Sequence, residues 1–159
     1  MKNDALKPGY ECVFTVTEYY DGPRKGIANY HGRPHFYDCV FDESNDDYSD
    51  LFQLTPVDTE IFELAMEDWD IWRRWEIAFH TGKADIATHP ALAHETKRHA
   101  ELKMLLDKSL VTDPSKAFAA VGQFEVLGGS NLPKGVYRDL QVKWVEPPQE
   151  SPPKSLDVR

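Results

Sequence analysis

The chain has 159 residues, about one domain's worth, and its 41% hydrophobic and 12% aromatic content suits a globular protein that builds its own core. The formal net charge is −9, from 18 basic and 27 acidic residues. That balance argues against a nucleic-acid backbone or an anionic membrane as main partner, since both call for a basic stripe. It leaves a protein partner, a small ligand or a cation open.

The first residues, MKNDALKPGYE, carry no apolar core of a signal peptide. No run approaches the ~18 apolar residues of a membrane-spanning helix. Cys12 and Cys39 lie in strand-like segments and read as reduced, buried small hydrophobes, which points to a cytoplasmic protein.

In chain order, residues 10–19 mix β-branched and aromatic residues with polar ones and predict a strand. DGPRKG at 21–26 is turn chemistry, and IANY is a second short strand. HGRP turns the chain into a third strand at 35–42, with His35, Tyr37, Cys39 and Phe41 on one side. An acidic loop, ESNDDYSD, precedes a fourth strand, LFQLTPV. The period then changes: Asp58 or Thr59 opens a helix that runs to about Gly82. A second helix is expected after Thr88 and Pro90, reaching about Leu110, with His99 on its apolar stripe. DPSKAFAAVGQFEV is either a helical turn or the lead into a strand, and VYRDLQVKWVE is the last strand.

Four strands, two helices and two strands predict an α+β protein. Its antiparallel β-meander of about six strands closes into a small barrel or roll, with the two-helix insertion packed on one face. The globular domain is expected over 1–146, and the Pro-rich 147–159 as a flexible tail.

EDWDIWRRWE, residues 67–76, places three tryptophans in seven residues. At about 100° per residue, Trp69, Trp72 and Trp75 share one face with Ile61, Ala65 and Phe79, so a core face is expected rather than an exposed platform. Asp68 falls in the middle of that face, with Glu76 at its edge. A carboxylate there must be paired or protonated, because burying it bare is costly. Asp68 is therefore either a structural acceptor or part of a cleft between helix and sheet.

His31 and His35 flank GRP and could face one another across a hairpin, but no third ligand is assignable, so no metal and no cofactor is expected. His89, His94 and His99 are spaced by five and cannot share a helix face. The acidic loop departs from the calcium-hand pattern, with Asp47 where glycine is required and Gln53 where glutamate is. Arg24, Lys25 and Arg33 form the local basic patch, able to receive a carboxylate or phosphate. Phosphate-loop, dinucleotide and nucleophile-elbow motifs are absent from the sequence.

The function these residues favour is a binding or interaction module. Its expected surface is the rim of loops 21–26 and 31–35, with Arg24, Arg33, His35 and Tyr37 as binding residues and a protein or small anionic ligand as partner. The alternatives are a small hydrolase-like or metal-assisted enzyme using Asp68 with His31 and His35, and an acidic inhibitor or immunity-type protein for a basic partner.

Overall fold

A computed structural model describes residues 6–129 and 131–148; the tail from residue 149 onward lies outside the described residues. Six strands form a closed antiparallel barrel in sequence order: β1 (Glu11–Tyr19), β2 (Pro23–Tyr30), β3 (Arg33–Asp42), β4 (Asp47–Pro56), β5 (Phe118–Val126) and β6 (Leu140–Val145). Between β4 and β5 the chain leaves the barrel to form α1 (Thr59–His80) and α2 (Thr96–Ser109). The expected α+β barrel with a two-helix insertion is the observed architecture. Among the described residues, no helix is long and apolar enough to cross a membrane.

Closure follows from the alternation of side chains. One face of each strand points inward, and Val13, Ala28, Tyr37, Cys39, Phe52, Leu54, Ala120 and Val142 fill the interior. Phe124 and Trp144 pack against them, with edge-on contacts such as Phe52–Trp144 at 5.7 Å between centroids. The Trp144 indole donates to Asn29 O at 2.8 Å. The barrel is thus a packed core rather than a channel.

The outer face of β1 and β2 carries a second core. The register slips from Val13↔Ala28 to Thr15↔Ile27, so Phe14 is the extra residue of a bulge. Val13 and Ala28 stay in the barrel, while Phe14 and Ile27 join Ala65, Ile71, Ala91, Leu102 and Leu106 of the helical layer. Phe14 meets Phe62 edge-on at 4.8 Å. The Thr15 hydroxyl accepts the Ile27 N–H at 2.9 Å at the irregularity.

Several boundaries differ from the sequence reading. β2 begins at Pro23, because Asp21 and Gly22, with φ of 53° and 130°, complete the turn. Pro23 opens the strand opposite Tyr19, a first-residue position that proline tolerates. The acidic loop is only Glu43–Asp46, and Asp47 already pairs with Asp42. The stretch 118–121 is strand, paired with Leu51–Leu54 of β4. α2 starts at Thr96 rather than near Pro90, because Leu92 is extended (ψ 153°) and the preceding chain forms two short 3₁₀ turns, Ile86–Thr88 and Ala93–Glu95. The Asp85 carboxylate caps the first of them through the Ala87 N–H.

Gly26 holds β1 and β2 at their closest approach. The Tyr37 hydroxyl, wholly buried, donates to Thr15 O at 2.8 Å, and burial pushes its pKa well above the usual tyrosine value. A Cβ on Gly26 would stand 2.1 Å from Thr15 O and 2.5 Å from that hydroxyl. Gly26→Ala is therefore expected to destabilise the protein by about 1–3 kcal/mol or more. Urea unfolding measures this, and an unchanged midpoint would contradict the packing described.

Candidate functional site

α1 and α2 run antiparallel, and charged pairs join them. Glu67 receives the Arg98 guanidinium in bidentate fashion at 2.6 and 2.7 Å, and Arg74 grips Glu95 at 3.0 and 2.6 Å. Next to the Glu67–Arg98 pair, Asp68 Oδ1 lies 2.6 Å from His99 Nδ1. The helices latch to one another along this line. Beside it, facing β1, a cavity of about 570 Å³ opens between the helical layer and the barrel wall.

A continuous run of aromatic rings walls one side. Trp69 and Trp72 pack tilted at 5.0 Å between centroids, Trp72 stacks with Tyr137 at 6.3 Å, and Tyr137 meets Tyr19 of β1 at 5.2 Å. Phe14, Val16, Leu106 and Leu110 complete the apolar lining. Arg73 sits over the outer indole faces, its Cζ 5.4 Å from the Trp69 centroid and 5.9 Å from that of Trp72.

The polar lining is mostly committed. Arg73 donates to Glu76 at 2.5 Å, to Asp139 at 3.0 Å and to Tyr137 O at 2.8 Å. Glu76, 2% exposed, also accepts the Tyr137 N–H at 3.0 Å. This triad ties α1 to the segment before β6 and places Tyr137 beside Trp72. Arg138 lines the cavity as well and is exposed, with no carboxylate at ion-pair distance among the described residues.

The three tryptophans of α1 divide. Trp75 is buried, stacks on Phe79 at 5.0 Å and donates its indole N–H to Thr88 Oγ1 at 2.9 Å. Trp69 and Trp72 are half-buried, and neither indole N–H has an acceptor among the described residues. The expected core face holds for Trp75; the other two form a cavity wall.

Asp68 lies in the cleft between helix and barrel, paired with His99 of α2. His31 and His35 belong elsewhere. His31 sits in the β2–β3 turn with φ of 50°, its ring stacked on Tyr30 at 4.3 Å, and its N–H, with that of Gly32, donates to the Glu11 carboxylate. His35 is buried between Tyr30 and Phe118 and donates from Nδ1 to Arg33 O at 2.8 Å. The expected grouping of Asp68 with these two is therefore replaced by Asp68 with His99.

The expected binding rim is also divided. Arg24 extends from the β1–β2 end, donates to Tyr20 O, Asp21 O and Cys39 Sγ, and lies 4.4 Å over the Tyr48 ring beside the acidic turn. Arg33 is exposed at the β2–β3 end. In a meander, successive turns fall at opposite ends of the strand between them, here the eight-residue β2. Tyr37, expected at the surface, is in the barrel core with its hydroxyl committed to Thr15. Burial also raises the Cys39 thiol pKa, against the lowering influence of Arg24. Among the described residues, no group of three or more His, Cys, Asp or Glu is placed to hold a metal.

The residue that sequence reasoning left out of the site is His99. Its signal was present: one ionisable group on the apolar stripe of each of two adjacent helices. Comparison with family models, curated proteins and solved structures returns no match for this chain.

The latch should be acid-sensitive. Hydrogen bonds from Arg98 and Arg74 hold the Glu67 and Glu95 carboxyls below the usual glutamate pKa. With folded-state values depressed, their contribution is present above the unfolded value of about 4.3 and is lost as pH falls through the folded value. Melting temperature should therefore drop on acidification below about pH 4.3, and the drop should be smaller in Arg74→Leu/Arg98→Leu. An equal drop in that variant would contradict the assignment. Separately, Arg73→Met strands the buried Glu76 and should cost about 3–5 kcal/mol in urea unfolding; a loss well under that range would show that Glu76 does not depend on Arg73.

Proposed function

We propose that the protein is a binding module for a small, flat, largely apolar organic molecule, held in the cavity between the helical layer and β1. The observation that carries this is the contrast among the indoles. Trp75, which is buried, and Trp144, half-buried against the barrel core, each have an acceptor for the N–H within the protein. Trp69 and Trp72, also half-buried, have no acceptor for the N–H among the described residues, and α1 holds them side by side on a cavity wall. The cavity's volume falls within the usual range of ligand sites, about 300–1,000 Å³. Its make-up, an aromatic lining with a few convergent polar groups, is also what such sites use.

This moves the working surface from the turns to the helix–barrel cleft and keeps the binding-module class. A small anionic ligand remains compatible, since Arg138 offers a cation at the lining. A cytoplasmic location stays part of the reading, on the strength of cysteines set in separate strands, β1 and β3. A second reading rests on the Asp68–His99 pair: a carboxylate that orients an imidazole is also the arrangement of a general base.

Titration with 1-anilinonaphthalene-8-sulfonate, an anionic aromatic fluorophore, tests the binding reading. Saturable emission at one equivalent is expected, weakened at least about tenfold by Trp72→Ala, equivalent to about 1.4 kcal/mol. Emission that does not saturate, or that the substitution leaves unchanged, would contradict it.

A further inference from the structure

We infer that the ligand of this cavity carries a hydroxyl group on its aromatic ring, and that His99 Nε2 accepts the hydrogen bond from it. The inference rests on the cavity reading above and adds the ligand's chemical class. An ionised carboxylate can only accept, so the 2.6 Å contact between Asp68 Oδ1 and His99 Nδ1 requires the proton on Nδ1. In the uncharged ring Nε2 then bears the lone pair. Asp68 thereby fixes the tautomer and orientation of a ring that lines the cavity.

Two other polar groups of the lining already have partners within the protein. The Thr15 hydroxyl accepts the Ile27 N–H, and Arg73 is shared among Glu76, Asp139 and the Tyr137 carbonyl. His89 stands edge-on to Trp75 at 4.6 Å. Nε2 of His99 is the lining acceptor whose orientation a neighbouring carboxylate already sets. A neutral hydroxyl donor fits a lining whose charges balance, with the guanidiniums of Arg73 and Arg138 beside the carboxylates of Asp68 and Asp139. The body is aromatic because the wall it meets is a run of aromatic rings, Trp69, Trp72 and Tyr137.

The test compares 2-naphthol with 2-methylnaphthalene, which has nearly the same shape and lacks the donor. Affinities are read from quenching of tryptophan emission at about pH 8, above the ordinary histidine range. The apolar analogue gains more from leaving water, so without an acceptor it should bind as tightly or more tightly. The inference expects the reverse, with 2-naphthol favoured at least about tenfold. In His99→Phe, folded by circular dichroism, that preference should vanish while 2-methylnaphthalene still binds. Equal binding of both compounds by the unaltered protein, each weakened by Trp72→Ala, would overturn the inference and leave the cavity reading intact. A preference that survives His99→Phe would also overturn it, by showing that another group reads the hydroxyl. Binding of neither compound would overturn both.

Discussion

Two carboxylates on the inward-facing side of α1 shape the surroundings of the helix. Asp68 and Glu76 are two turns apart, and neither can be left bare against apolar neighbours without large cost. Asp68 draws in His99 and so fixes the position of α2. Glu76 draws in Arg73 and the Tyr137 backbone, and through them Asp139, fixing the segment that leads into β6. The helical layer is thereby anchored along two lines, one to α2 and one to the barrel's last connection. The space between them, closed behind by β1, is the cavity.

The barrel supplies the rigid back wall. Its interior is filled by aromatic and branched side chains. The bulge at Phe14 instead sends one large ring outward while Val13 remains inside. A single strand thus serves two cores. Gly26 permits this by letting β2 approach Thr15 without a side chain between them. Function, on this account, is displaced from the barrel to its outer surface, where a helix rich in indoles stands over a strand.

Much of the architecture was legible because the sequence changes period where the structure changes type. Alternation over 35–42 marked a strand with Tyr37 and Cys39 on one side, and the 3.6-residue period over 59–80 marked α1 with Asp58 before it and Gly82, at φ of 76°, after it. The need for a partner at Asp68 and at Glu76 was equally readable from the helical wheel. Two of the partners were not, because the His99 ring and the Tyr137 N–H lie 31 and 61 residues away in sequence, whereas Arg73, three residues before Glu76, was within reach of the wheel. The wheel also could not separate Trp75 from Trp69 and Trp72: it reports a face, not how deeply each part of that face is covered. The two loops of the expected rim lie apart for a reason the strand order already contained. Loops 21–26 and 31–35 flank one strand, and an antiparallel meander sends them to opposite ends. The late start of α2 arose from local backbone choices at His89 and Leu92 that a hydrophobic stripe does not encode.

The most direct test of the account is to follow the four indole N–H resonances by NMR while 2-naphthol is added. The account predicts that the Trp69 and Trp72 signals move progressively and saturate together. Trp144, inside the barrel and bonded to Asn29, should hold its position, and Trp75, bonded to Thr88 behind the wall, should move little. Saturable movement of Trp144, with Trp69 and Trp72 unaffected, would place the ligand in the barrel and contradict the claim that the cleft outside it is the binding site.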